Sequence, residues 1–140
     1  MARDEKLDLL HSIPLFASFD RQHLERLGML TEEVDVPAGK VLIRQGELGA
    51  DLMIIVSGQA GVERDGARIN ELGPGDFFGE IAIVDHGPRT ATVTAESASR
   101  LLVLNHRDFH ALMDEFPAVA AQVMQTLADR LRRLDQRSLH

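Results

Sequence analysis

The sequence predicts a mainly β domain with helices at both ends, and three observations carry that prediction. Between Glu33 and Val103 apolar and polar residues change places in short runs, as half-buried strands require. Through the same stretch Pro37, Gly39, Gly46, Gly49, Gly58, Gly73 and Gly75 recur closely enough to end a strand every few residues. On either side the apolar spacing lengthens to three or four, the period of an amphipathic helix. Many short strands with frequent turns fit a sandwich, a roll or a barrel.

The elements follow in order. Residues 4–11 form a short helix with Leu7 and Leu10 a turn apart, stopped by Pro14. Asp20 is placed to cap a second helix running to about Met29, with Leu24 and Leu27 inward. Strands are expected at residues 33–36, 40–44, 51–56 and 59–64. Asp65-Gly66, between Val62 and Ile69, is a strong two-residue hairpin signal. Residues 90–94 and 100–103 complete the strands. Asn105 then caps a helix ending near Phe116, and Pro117 suits the start of the next. In that last helix Val119, Val123, Leu127, Leu131 and Leu134 share one stripe.

A chain of 140 residues suits a single domain, 1–140, divided by period into N-terminal helices (1–30), a β-rich body (31–104) and C-terminal helices (105–140). There is no cysteine, which excludes disulfides and thiolate-held metals. No apolar run reaches the length of about 18 residues that spans a bilayer, so no membrane insertion is expected. The first residues carry acids and no signal-type apolar core, and a cytoplasmic location is expected. A net charge of −7 repels nucleic-acid phosphates, so no direct nucleic-acid contact is expected. The local cluster Arg130, Arg132, Arg133 and Arg137 reads as a solvated helix face that complements the negative helix end.

The chemistry concentrates in residues 78–93, FGEIAIVDHGPRTATV. Gly79 lets backbone approach a ligand closely. A helical turn beginning there would aim free N–H groups of Gly79, Ile81 and Ala82 at an anion, while the side chains of Ile81 and Ile83 pack inward. Glu80 can only accept hydrogen bonds and so suits a sugar hydroxyl; as a residue type it is equally at home on a helix N-terminus. Arg89 offers a planar fork that matches two phosphate oxygens. Thr90 either starts a strand or turns its hydroxyl to the phosphate or to a guanine amino group. One small molecule needs the glycine, the N–H groups, the carboxylate and the arginine at once: a cyclic nucleotide, with ribose hydroxyl and cyclic phosphate side by side.

Other patterns fall short of a site. Gly73-Pro74-Gly75 followed by Gly79 misses the GxGxxG spacing and lacks a βαβ setting. His106 and His110 have a zinc-compatible spacing, but Arg107 stands where a metalloprotease carries its glutamate and no third ligand appears. His86 reads as a solvated loop residue near the anion. No serine sits in a nucleophile elbow. No catalytic residue, metal or cofactor is expected, and no enzyme activity.

Residues 78–93 resemble the phosphate-binding cassette of cyclic nucleotide-binding domains, the β-roll modules of catabolite-activator-type regulators, cyclic-nucleotide-dependent kinases and cyclic-nucleotide-gated channels. The resemblance extends to PLFASFDRQHLERL (14–27), VPAGKVLIRQGELGADLMIIVSGQAGV (36–62), with Gly46, Gly49 and Gly58 at the expected turns, and LGPGDFFGE (72–80). It implies a double-stranded β-helix, a jelly-roll-like β-roll, with short N-terminal helices, a cassette helix and two C-terminal helices. It implies a ligand, cAMP first and cGMP second. Arg89 would hold the phosphate oxygens, Glu80 the ribose 2′-hydroxyl, and Gly79, Ile81, Ala82 and Thr90 would complete the site.

The family closes its last helix over the base. Aligned from Pro117, Leu134 and Asp135 fall where the catabolite-activator type has hydroxyl residues, so base contacts would come from Arg130, Arg133 and Leu134, an arginine stacking on the π face. No DNA-reading domain, kinase signature or pore helix follows, so the chain reads as a free-standing sensor or one domain of something larger. Movement of the C-terminal helix would carry ligand binding to an unidentified attached domain or partner, and the same helix could join a homodimer. The alternatives are a β-roll interaction scaffold that binds no nucleotide and a truncated regulatory half of a DNA-binding transcription factor.

Overall fold

The structure is a computed structural model that describes residues 1–49, 51–79 and 88–138, with the side chains at 130, 131 and 133–138 outside the description. Its residues group into two compact units, one of Met29–Phe109 and one that combines Met1–Gly28 with His110–His140.

Among its described residues the first unit holds eight strands: β1 (Glu32–Val36), β2 (Val41–Ile43), β3 (Asp51–Ser57), β4 (Ala60–Arg64), β5 (Ala67–Leu72), β6 (Phe77–Phe78), β7 (Thr92–Ala95) and β8 (Ser99–Asn105). They form two four-stranded antiparallel sheets, ordered β1-β8-β3-β6 and β2-β7-β4-β5. The mainly β class and the β-roll are as expected. The strand periods explain the layering. In β3, Leu52, Ile54 and Ile55 are buried, and in β8 Leu101, Leu102 and Leu104 are; the adjacent pairs Ile54–Ile55 and Leu101–Leu102 point to opposite faces, so these two central strands bury apolar side chains on both faces. Ile55, Ala60, Phe78, Val93 and Leu101 form a core cluster, with Val36, Leu42, Ile43, Met53, Val62, Leu72 and Val103 packed against it.

Asp65-Gly66 makes the predicted hairpin. Both residues have positive φ, 53° and 82°, the conformation that a two-residue turn between twisted strands demands. Gln45 grips the tip from both sides: its Nε2 donates to Asp65 Oδ1 at 2.8 Å, and the Asp65 N–H donates to its Oε1 at 2.9 Å.

The second unit contains α1 (Arg3–Ser12), a 3₁₀ turn at Pro14–Phe16, most of α2 (Arg21–Leu30), the end of α3 (His106–Glu115), and α4 (Pro117–Ser138). Asp20 caps α2, its Oδ1 accepting the His23 N–H at 3.0 Å. Asn105 caps α3 in the same way, through the Asp108 N–H at 2.8 Å. Leu7, Leu10, Ile13, Phe16, Leu24, Leu27, Leu112, Val119, Val123 and Leu127 are buried. The chain ends meet inside this unit: Arg26 Nε donates to Glu115 Oε2 at 2.9 Å, and the His23 ring lies edge-on to Phe116 with centroids 4.5 Å apart. Pro14, expected only to stop α1, starts the 3₁₀ turn, and the two-residue strand β6 was not expected.

Candidate anion-binding site

Arg89 is fixed first through its backbone. Its N–H donates to Glu47 O at 2.9 Å, its carbonyl accepts from the Gly46 N–H at 2.9 Å, and Leu48 and Pro88 face each other in an antiparallel bridge. The loop between β2 and β3 therefore holds the segment ahead of β7 in register. Further along, Thr92 Oγ1 accepts from the Gln45 N–H at 2.9 Å and the Thr90 carbonyl accepts from Arg64 Nε at 3.0 Å.

The side chain then runs inward. Arg89 is 8% exposed and is the single charged residue among the described ones to be buried. Its Nη2 donates to the Asp51 carbonyl at 3.2 Å. Its Nη1 is buried with no hydrogen-bond acceptor. Burial pushes the guanidinium pKa down, against the pull of the Asp51 charge; an arginine starts so high that it stays charged at neutral pH.

Two glycines wall the fork. A Cβ at Gly49 would lie 2.7 Å from Arg89 Nε and 2.9 Å from Nη2. A Cβ at Gly79 would collide with the Asp51 carbonyl and lie 2.9 Å from Nη1, and φ there is +87°. The wall is backbone, so donors and cation are aimed by the main chain rather than by mobile side chains. A buried donor without an acceptor costs about 1–3 kcal/mol. An ion pair would offset that, yet no carboxylate among the described residues pairs with Arg89. The arrangement suits an anion with oxygens to accept what Asp51 leaves over.

Of the sequence-predicted site residues, the structure brings Gly79 and Arg89 together. Thr90 follows Arg89 on the surface, exposed. Glu80, Ile81, Ala82 and His86, with the expected cassette helix, lie outside the described residues. Arg130, Arg133 and Leu134 fall within α4, with their side chains outside the description. Two participants went unforeseen. Gly49 was expected as a turn glycine, but its φ is not positive; what it spares is space. The Asp51 carbonyl is a backbone acceptor, which no residue type announces.

Residues 33–116 match the family model of the cyclic nucleotide-binding domain. The chain belongs to that family. As a cyclic nucleotide-binding domain it is a ligand-binding module and not an enzyme. It is 35% identical over 122 residues to a cyclic nucleotide-gated potassium channel of Rhizobium etli, covering 87% of this chain but 34% of the channel. The solved N-terminal domain of a transcriptional regulator from Streptomyces coelicolor superposes with a TM-score of 0.83 at 33% identity, covering 92% of this chain and 94% of that one. The regulatory domain of Toxoplasma gondii PKA, solved with cAMP, superposes with a TM-score of 0.73 at 34% identity over 80% of this chain and 46% of that one. The domain thus spans about a third of the channel and nearly all of the regulator's N-terminal domain.

Proposed function

We propose that this domain senses a cyclic nucleotide, cAMP in preference to cGMP. The observation that carries the proposal is the buried Arg89 guanidinium, with Nη2 on a backbone carbonyl and Nη1 without an acceptor. A cyclic phosphate supplies two oxygens to such a fork. In this assignment Glu80 takes the ribose 2′-hydroxyl, Gly79, Ile81 and Ala82 donate backbone N–H groups, and the Thr90 hydroxyl lies beside the phosphate. The preference for cAMP draws support from the kinase regulatory domain solved with cAMP. Occupancy is conveyed by movement of the C-terminal helix to an attached domain or partner, and that helix can act only as far as ligand affinity differs between its positions.

The test is calorimetric titration of the wild type and Arg89→Ala with cAMP and cGMP in parallel. A charge-assisted hydrogen bond contributes about 1.5–3 kcal/mol, so the variant should bind at least about tenfold more weakly. No heat from either nucleotide with the wild type would leave an interaction scaffold as the better account. Equal affinity for wild type and variant would remove Arg89 from the site.

A further inference from the structure

We propose that Gly49 is the positioning residue for the Arg89 guanidinium, a role that rests on the assignment of Arg89 to the cyclic phosphate. Among the described residues six glycines occupy positive φ, Gly46 and Gly79 among them, where a side chain is strained whatever the space around it. Gly49 is not one of the six. Its φ accepts an L residue, so turn geometry does not explain the glycine. Space does. The three heavy atoms nearest to a Cβ built there are all Arg89 atoms: Nε at 2.7 Å, Nη2 at 2.9 Å and Cζ at 3.1 Å. The Nε–Nη2 edge of the guanidinium comes closest to the Gly49 backbone, and from there Nη2 reaches the Asp51 carbonyl while Nη1 stays buried beside Gly79.

A methyl group at position 49 cannot share that volume. The far end of an arginine is flexible, whereas the backbone around it is tied by the Glu47–Arg89 and Gly46–Arg89 hydrogen bonds. The added methyl therefore moves the fork and spares the fold. A displaced fork presents its two donors at the wrong place, and a bidentate contact loses strength steeply with misalignment.

Gly49→Ala, Arg89→Ala and the double variant test this. In the ligand-free chain, Gly49→Ala should shift the Arg89 Nε–H resonance in a proton–nitrogen correlation spectrum. It should weaken cAMP binding about tenfold, the effect of one charged hydrogen bond lost, with a melting temperature within about 3 °C of wild type. In the Arg89→Ala background it should change affinity no further. An unmoved Nε–H resonance overturns the positioning role without reference to any ligand. So does wild-type affinity in Gly49→Ala, or an equal loss with and without Arg89, which would place the effect in the loop backbone. If Arg89→Ala itself binds cAMP normally, the phosphate assignment falls and this inference falls with it.

Discussion

Gly79 and Gly49 both lie against one guanidinium, yet different physics keeps each a glycine. At Gly79 the backbone sits at φ +87°, and a Cβ would meet the carbonyl of Asp51, which cannot move without breaking β3. Gly79→Ala should therefore cost about 1–3 kcal/mol of folding stability, read as a lower urea midpoint by circular dichroism; a midpoint equal to wild type would show that the turn relaxes freely. Arg89 and Gly79 were legible in the sequence because one short run carries both and that run resembles the phosphate-binding cassette of the family. Gly49 and Asp51 were not. They meet Arg89 from 38 or more residues away, through strand pairing, and their contributions are an absent side chain and a main-chain oxygen.

Among the elements, local signals were read well and non-local ones poorly. The caps at Asp20 and Asn105 span three residues, and both form the hydrogen bond that their residue types offer. Asp20→Ala should lower stability by about 1 kcal/mol, seen as a drop of several degrees in the melting temperature; Asp20→Ser should restore most of it. An unchanged melt for the alanine variant would mean that water caps α2 equally well. The hairpin at Asp65-Gly66 was equally legible, since positive φ is written in residue type. By contrast β6 exists only because Phe77 and Phe78 pair with Ile54 and Met53. β8 runs to Asn105, beyond its expected end, because Leu104 and Asn105 pair with Leu52 and Asp51 of β3. No window of sequence contains those partners.

Over the whole molecule, charge is handled at the surface. Asp35 bonds Arg100 through both oxygens, at 2.8 and 3.3 Å, and Glu96 bonds Arg68 likewise. In each pair the guanidinium hydrogen bond holds the carboxyl pKa below its ordinary value. A carboxylate depressed by folding adds stability above its unfolded pKa and loses it as pH falls through the folded one. Wild type should thus melt above Asp35→Asn at neutral pH, and the gap should close in acid. A gap that persists well below the carboxylate range would assign it to packing. These pairs are exposed, so their effect is small. Arg89 is the opposite case. Most of its dehydration is done by folding, while the roll assembles. Under the proposed assignment, capture of a cyclic phosphate then needs little further stripping of water from the cation, so a lysine in its place, more strongly hydrated and without the planar fork, would forfeit that head start while keeping the charge.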